Sequence, residues 1–491
     1  MEKRTKRHAT LKESLFAILS FAVIVAVGYL GFGMRVEPLM CLAAVVAGII
    51  AWRCGYTWAE MEDGMCKKVY QAAPAMFIIW ATGMVIAAMM FSGSIPMVIY
   101  YGLKIMNPQY LYLCTFLVCC VMSVITGTSW GSAGTVGLAM MGVALGLGLD
   151  ATITAAAVIS GSIFGDKLSP LSETTNLAPL CAGCGLYEHI GSMLYTTVPS
   201  AVIAGIVYFI AGRGIETQEG LPEEAVNMLA SLDSIYEWNV LLLLPFLLIL
   251  SSALLKFPPV PTLLASVIIS LILGATVQDF DLVAGIASII KGFTIETFYT
   301  ADVAGQVITL LNRGGMSSMS SVIIILFCGY TFIGIVSSTG MLRVAVKPLM
   351  NHINGRVSLI FATLMTDLIV LLCAGSSYPP HIVAGEMFRK KFIDQGIELK
   401  VLSRSMEDIG TMIAPLVPWG SSGAFYAATL GVAAWGTGGY ALWAVNTWIN
   451  PIIAMICAIT GFGIFKMSKE KQAEELKKYE KLNAEAVEVE I

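Results

Sequence analysis

The chain has 491 residues, of which 57% are hydrophobic and only 13% are charged. An average soluble domain carries about 25% charged residues, so this composition excludes an ordinary soluble protein. The net charge of −4 is small and gives no sign of a nucleic-acid partner. Apolar windows of ~20 residues, each long enough to cross ~30 Å of hydrocarbon, recur from Ser14 to Phe465. We therefore predict an all-α polytopic membrane protein that has the lipid bilayer as a partner.

Charged residues at the two ends predict how the chain is oriented. Basic residues are concentrated in the tails 1–13 and 466–491, and basic segments favour the cytoplasmic side. Two transmembrane repeats are predicted between these tails, at 14–212 and 239–465. The linker that joins them, 213–238, is rich in acidic residues and is predicted to be external. The protein is thus expected to cross the plasma membrane many times, with both termini cytoplasmic.

The two halves contain short similar segments in the same order. Gly-Thr-Ser-Trp at 127–130 resembles Gly-Ser-Ser-Tyr at 375–378, and 158–164 resembles 382–388. Weak internal similarity of this kind is typical of duplicated transporter folds. Because the first half is predicted to begin inside and end outside, the second half must run the opposite way. The sequence therefore predicts inverted-topology repeats.

A polar run at 165–179 interrupts two apolar segments, and its two prolines exclude one continuous helix. Polar backbone at membrane depth is tolerated only inside protein or beside water, so this run predicts a broken helix at a binding site. The second half has a similar run at 404–418. The side chains that we expect to bind a cation or a proton in these two runs are Asp166, Glu173, Thr174, Thr175, Asn176, Asp408 and Thr411.

Short segments rich in Gly, Ser and Thr follow apolar helices in both halves, as expected for the tips of re-entrant hairpins. Their hydroxyls are hard oxygen ligands suited to a small cation. The candidates are Thr128, Ser129, Ser376 and Ser377. The alternative is that these small residues only allow helices to pack closely. Asp367, a lone carboxylate within an apolar helix, is a further candidate because such a charge is costly in a membrane.

A carboxylate in such a cavity can hold a sodium ion or a proton but not readily both, and this competition is sufficient for exchange. As a hypothesis, Na⁺ is held by Asp166, Thr175, Asn176 and Asp408. Asp408 is preferred to its neighbour Glu407 because it lies one turn before Thr411 on the same helix face. The alternative is that the acids form structural ion pairs, Asp166 with Lys167 and Glu407 with Arg404.

Several of these runs resemble the NhaC family of sodium/proton antiporters. The resemblance rests on Phe-Gly-Asp-Lys-Leu-Ser-Pro-Leu-Ser-Glu-Thr-Thr-Asn-Leu-Ala-Pro at 164–179, on Ser-Gly-Ser-Ile-Pro at 92–96, and on Glu-Asp-Ile-Gly-Thr at 407–411. It implies secondary active exchange of Na⁺ for H⁺, inverted repeats with re-entrant hairpins and broken helices, and a possible homodimer. Na⁺ and H⁺ are then substrates, and no cofactor is expected.

One departure from the family pattern leaves the substrate open. After Pro418-Trp419 the chain has Gly-Ser-Ser at 420–422, where the family is expected to have Asn-Thr. The alternative function is therefore a Na⁺/H⁺-coupled exchanger of small carboxylates, of the malate/lactate type. Only Lys167 and Arg404 are basic near the breaks, which disfavours an anion. An enzyme is not expected, because neither a phosphate-binding loop nor an HExxH motif occurs.

Overall fold

The structure is a computed structural model that describes residues 6–215, 222–255, 257–299 and 305–489. Glu216 and Glu219 of the predicted acidic linker, and the first five residues of the N-terminal tail, lie outside these ranges. Within them, regular secondary structure consists of helices, apart from one isolated bridge between Ile397 and Lys466. The prediction of an all-α protein is confirmed.

The first half contains ten α-helices within the described ranges. They are α1 (Leu11–Val25), α2 (Val36–Arg53), α3 (Trp58–Ser92), α4 (Ser94–Ile105), α5 (Leu111–Thr126), α6 (Ser129–Ser132), α7 (Leu138–Gly146), α8 (Ala151–Leu168), α9 (Glu173–Ala182) and α10 (Leu186–Arg213). A π-helical turn, Ala133–Gly137, joins α6 to α7. The region predicted as a linker also contains a helix, α11 (Glu223–Ile235).

The second half begins after this helix and again consists of helices of very different lengths. They are α12 (Leu244–Leu254), α13 (Pro259–Thr276), α14 (Leu282–Lys291), α15 (Gly305–Leu311), α16 (Ser320–Ser338), α17 (Met341–Val346), α18 (Arg356–Ala374), α19 (Tyr378–Asp394), α20 (Leu399–Gly410), α21 (Ser421–Leu430), α22 (Val445–Thr460) and α23 (Lys469–Val489).

Helix length and composition support a membrane-spanning chain. Among the described residues, seven helices are long and apolar enough to cross a bilayer, and two bent pairs raise that number to nine. One bent pair is the two parts of α3, which meet at an angle of 40° beside Pro74. On α2, Leu42, Val45 and Ile49 are each more than half exposed at helical spacing, as expected for a lipid-facing stripe. The chain is a multi-pass membrane protein.

The order of elements is similar in the two halves. Helix α5 ends at Gly127 and α18 ends at Gly375, and both glycines have a left-handed backbone, with φ of 68° and 62°. In each half a helix and then a break follow: α8 precedes the break before α9, and α20 precedes the break before α21. The sequence comparison matched segment 158–164, which lies in α8, with segment 382–388, which lies in α19. In the order of elements, however, α8 corresponds to α20, because both helices precede a break. That match was therefore wrong, and it arose because short apolar segments resemble one another by chance.

Two apolar clusters hold the helices together. The larger includes Phe21 of α1, which stacks on Phe332 of α16 with ring centroids 4.4 Å apart. The smaller fills the space between α18, α19 and α20 and includes the buried residues Phe388, Phe392 and Met406. Polar groups that lie beside this second cluster are therefore shielded from water, which becomes important below.

Candidate functional site

A cavity of about 530 Å³ lies where the broken helices of the two halves meet. Polar residues of the first half line it, namely Thr128, Ser129, Asp166, Glu173, Thr174 and Asn176. The second half contributes a similar set, namely Ser376, Ser377, Tyr378, Thr411, Ser421 and Ser422. All of these except Tyr378, Ser421 and Ser422 are residues that the sequence singled out. The structure thus brings most of the predicted residues from both halves to one cavity.

The two hairpin tips reach the cavity because glycine allows a close approach there. A Cβ atom on Gly127 would lie 2.5 Å from the Cβ atom of Leu171, which belongs to the first break. A Cβ atom on Gly375 would lie 3.2 Å from the Cα atom of Gly420, beside the second break. The backbone N–H of Ser421 also donates to the carbonyl of Gly375 over 2.7 Å. Each tip therefore crosses the break of its own half.

Among the described residues, Asp166 is one of two carboxylates that line the cavity; the other is Glu173. It lies near the C-terminal end of α8 and is half-buried. The hydroxyl of Ser129, in the first hairpin tip, donates to Asp166 Oδ2 over 2.6 Å. The side chain of Thr128 caps α6 by accepting from the N–H of Gly131, and this places Ser129 at the start of that helix. A fixed hydroxyl and a carboxylate thus lie side by side on the cavity wall.

Thr175 and Asn176 are neighbours with different positions. The buried hydroxyl of Thr175 donates to the carbonyls of Asp166 and Lys167, both at 3.0 Å, so it joins α9 to the end of α8. Asn176 lines the cavity, and its Nδ2 donates to the carbonyls of Pro170 and Ser172 at 2.9 and 2.7 Å. The amide oxygen of Asn176 is left as an acceptor. Thr175 was predicted as a ligand, but it does not line the cavity.

Glu173 and Thr174 occupy the rim of the cavity at the start of α9. The Glu173 side chain is exposed, and the hydroxyl of Tyr378 donates to its Oε2. Thr174 shares a hydrogen bond of 3.2 Å with the hydroxyl of Ser172.

Tyr378 was not singled out from sequence, although it occupies the same place after its glycine as Trp130 does in the first half. That similarity was the signal that could have identified it.

Asp408 lies away from the cavity, in contrast to the sequence-based expectation. It is fully buried, and its Oδ1 accepts from Lys167 Nζ at 2.5 Å and from the hydroxyl of Thr196 at 2.8 Å. Arg404 Nε lies 3.9 Å from its Oδ2, and Lys167 also donates to Asn450 Oδ1 at 3.0 Å. The preference for Asp408 over Glu407 as a cavity residue was therefore wrong. Asp408 instead joins α20 to α8.

Asp367 and Glu407 are buried carboxyl groups that also lie outside the cavity lining. Neither carboxyl oxygen of either residue has a hydrogen-bond partner among the described residues. The predicted ion pair of Glu407 with Arg404 does not form; the basic group nearest to Glu407 is His381, with Nε2 3.6 Å from Oε1. Asp367 was predicted as a cation ligand, but α18 directs it into the space between helices instead.

The cavity offers two kinds of binding chemistry. Hydroxyl, amide and carboxylate oxygens are ligands that suit a small hard cation such as Na⁺. In addition, α9, α19 and α21 all begin at the cavity, and their N-cap residues make no side-chain capping bond within the described structure. Helix N-termini carry a partial positive charge that favours anions. None of the described residues that line this cavity is Lys, Arg or His.

Broken helices that meet around a polar cavity within a multi-pass helical protein define the class of secondary membrane transporters. The model of the Na⁺/H⁺ antiporter family matches residues 8–184 and 161–462. The chain belongs to this family, as the resemblance to NhaC predicted.

Similar proteins cover nearly the whole chain. An uncharacterized Na⁺/H⁺ antiporter of Haemophilus influenzae is 38% identical over 95% of this chain and 99% of its own length. The Na⁺/H⁺ antiporter NhaC of Alkalihalophilus pseudofirmus is 34% identical, over 92% of this chain and 96% of its own. The malate-2H⁺/Na⁺-lactate antiporter of Bacillus subtilis is 28% identical, over 87% and 90%.

Proposed function

We propose that the protein is a secondary active antiporter that exchanges Na⁺ for H⁺ across the plasma membrane. The observation that carries this proposal is the position of Asp166, a half-buried carboxylate in a cavity lined by oxygen ligands from both halves. The names of the two relatives with more than 30% identity support it. Na⁺ and H⁺ are substrates in this mechanism, which requires no cofactor and no enzymatic step.

The cavity residues have distinct roles in this mechanism. Asp166 provides the negative charge that balances Na⁺, and Ser129 keeps its carboxylate oriented toward the cavity. The amide oxygen of Asn176 and the hydroxyls of Thr128, Ser376 and Thr411 are neutral oxygen ligands. When Na⁺ leaves, a proton neutralises the carboxylate, because an unbalanced charge is costly in a water-poor site. Alternate opening of the cavity to the two sides then couples the opposite fluxes.

The same proposal includes the membrane topology. Both tails are placed in the cytoplasm because their basic residues favour that side. The two halves then cross the membrane in opposite directions as inverted repeats, with the lipid bilayer as partner and a homodimer as the candidate assembly. Cysteine labelling with a membrane-impermeant reagent at Lys469 and at Asp233 tests this arrangement, with labelling from outside expected only at position 233.

A second candidate function is the Na⁺/H⁺-coupled exchange of small carboxylates. The N-termini of α9 and α21 at the cavity could favour an organic anion without a basic side chain. The name of the Bacillus subtilis relative describes an exchange of this type. The cavity volume of about 530 Å³ lies within the usual range for small-molecule sites, ~300–1,000 Å³.

Transport by the purified protein in liposomes distinguishes the two functions. An outward Na⁺ gradient is imposed with and without malate or lactate, and the internal pH is followed with a fluorescent dye. The proposed Na⁺/H⁺ antiporter gives the full pH change with Na⁺ alone, and neither malate nor lactate increases it. A pH change that appears only with a carboxylate would reject the first function in favour of the second.

A further inference from the structure

Behind the cavity lies a buried cluster of titratable groups that the exchange mechanism above does not use. It comprises Glu407 of α20, His381 of α19 and Asp367 of α18, each with 0% exposure. His381 Nε2 lies 3.6 Å from Glu407 Oε1, and Asp367 lies within electrostatic range of Glu407. Both ring nitrogens of His381 and all four carboxyl oxygens lack a hydrogen-bond partner among the described residues.

Unpaired polar groups in such surroundings need an explanation, because a buried polar group without a hydrogen-bond partner destabilises the folded protein. The cost is larger for an ionised carboxyl group than for a neutral one. The cluster lies beside the smaller apolar core between α18, α19 and α20. The state of the cluster with the lowest free energy is therefore the one in which the carboxyl groups are protonated and neutral.

The imidazole of His381 is held in its place by the backbone of α20. A Cβ atom on Gly410 would lie 2.6 Å from His381 Cε1 and 3.0 Å from Nδ1. Glycine at this position therefore lets the ring lie flat against α20, one turn after Glu407. With a proton on either partner, a small movement from 3.6 Å brings the two side chains to hydrogen-bond distance.

Thr411 connects the cluster to the cavity. It follows Glu407 by one helical turn and lines the cavity, and its hydroxyl has no hydrogen-bond partner in the described structure. A cation in the cavity would therefore lie close to Glu407 without touching it. Opposite charges that lie close together in a buried site attract strongly, because little water screens them.

We propose that Glu407 and His381 form a proton-binding site that is separate from the Na⁺ ligands around Asp166. Glu407 holds a proton while the cavity is empty. Na⁺ in the cavity stabilises the ionised carboxylate, so the O–H bond of Glu407 breaks, its electron pair stays on the carboxylate, and the proton passes to water in the cavity by way of Thr411, one helical turn away. This inference rests on the proposed Na⁺/H⁺ exchange and adds a second proton-binding site to the one at Asp166.

Other charged and titratable groups around Glu407 affect how tightly it holds its proton. Lys167 is the nearest fixed positive charge on α8, but it is already paired with Asp408 at 2.5 Å. His189 of α10 is occupied by the hydroxyl of Ser403 at 2.8 Å. The charged and titratable groups that interact with the cluster from packed elements are Asp166 and Lys167 of α8, Cys181 of α9, His189 of α10 and Asp408 of α20.

Proton release on Na⁺ binding tests the proposal. The full-length protein in detergent is mixed with NaCl in a weakly buffered solution containing a pH dye, and ²²Na⁺ binding is measured in parallel. Glu407→Gln is expected to bind Na⁺ but to release about one proton fewer per Na⁺ than the wild type, so that its Na⁺ affinity depends less steeply on pH. Asp166→Asn is expected to lose Na⁺ binding itself.

Two further variants separate the proton role from a structural one. Gly410→Ala displaces His381 from Glu407 without changing a titratable group, and it is expected to reduce proton release while Na⁺ binding persists. Glu398→Gln, at the other end of the same helix, is the matched control and should release protons like the wild type. Wild-type release by Glu407→Gln would overturn the proposal.

A measurement on the unmutated protein keeps the test valid if Glu407→Gln does not fold. Infrared difference spectra with and without Na⁺ should show the loss of a carboxylic-acid band that shifts when glutamate, but not aspartate, carries ¹³C. A band that shifts only with labelled aspartate would overturn the proposal. Failure of the wild type to exchange Na⁺ for H⁺ in liposomes would instead reject the proposed function itself.

Discussion

The two helix breaks resemble each other in sequence and position but differ in how they use their charges. The first break, 165–179, presents Asp166 to the cavity. The second, 404–418, presents only the hydroxyl of Thr411 to the same cavity and keeps its carboxyl groups buried behind it. Duplicated elements can therefore provide similar geometry and different chemistry. The first break holds Asp166, the proposed cation ligand, whereas the second contributes an ion pair between the halves and the candidate proton site.

Asp166→Asn is the variant with the largest expected effect on transport. An amide can neither balance a cation nor exchange a proton, so Na⁺/H⁺ exchange in liposomes should fall at least ~100-fold, or ~2.7 kcal/mol in the rate-limiting free energy. Asp150→Asn, the same substitution at the other end of α8, should exchange normally because asparagine also caps helices. If Asp166→Asn still exchanged Na⁺ for H⁺ substantially, the first break would not differ from the second by holding the essential carboxylate.

Lys167→Met tests the claim that the second break uses Asp408 for structure. Removing one partner of a buried pair leaves an uncompensated charge and should lower the free energy of unfolding by ~3–5 kcal/mol. Asp408→Asn should destabilise similarly, and the double variant should recover most of the loss. Thermal unfolding in detergent measures this. If the single variants were as stable as the wild type but bound Na⁺ more weakly, Asp408 would be a cation ligand and not a structural residue.

Ser129→Ala examines how the hairpin tip supports Asp166. Loss of a hydrogen bond to a charged group costs ~1.5–3 kcal/mol when fully realised, so we expect the apparent KM for Na⁺ to rise about tenfold. Ser132→Ala is the control, since that hydroxyl donates to a neutral carbonyl, of Thr128. A Na⁺ titration at fixed pH provides both values, and equal effects of the two substitutions would contradict the assigned role of Ser129.

Thr175 and Asn176 should show the smallest and most informative difference. Asn176→Ala removes a cavity oxygen and should raise the apparent KM for Na⁺ about threefold to tenfold, within the range of one neutral hydrogen bond. Thr175→Ser keeps the hydroxyl that bonds the end of α8 and should behave as wild type, whereas Thr175→Val should lower thermal stability. If Thr175→Val changed only Na⁺ affinity, Thr175 would be a ligand after all.

Local sequence patterns were sufficient for much of the site. The polar run of 165–179 between apolar segments predicted a break, because its prolines and charges exclude a continuous lipid-facing helix. The short Gly-, Ser- and Thr-rich segments after apolar helices predicted the hairpin tips, and in the structure the glycines before Thr128 and Ser376 have the left-handed backbone that favours glycine. These features depend on a few adjacent residues, so they can be read without knowledge of the fold.

The orientation of the buried carboxyl groups could not be read in this way. Glu407 and Asp408 point about 100° apart on one helix, and helical spacing shows only that they differ in direction. Their roles depend on Lys167 and His381, which come from other helices distant in sequence.

The sequence by itself determined that the chain is a helical membrane protein whose apolar segments are interrupted by polar breaks. The reason is that an unsatisfied polar group in hydrocarbon is costly in free energy, so each apolar segment must be a helix and each polar run must lie inside protein or beside water. Only the tertiary structure decided which carboxyl group faces the cavity, which one is neutralised by Lys167, and which one lies unpaired beside His381. The electrostatic state of a buried acid depends on the charges packed around it from other helices, and that arrangement exists only in the folded protein.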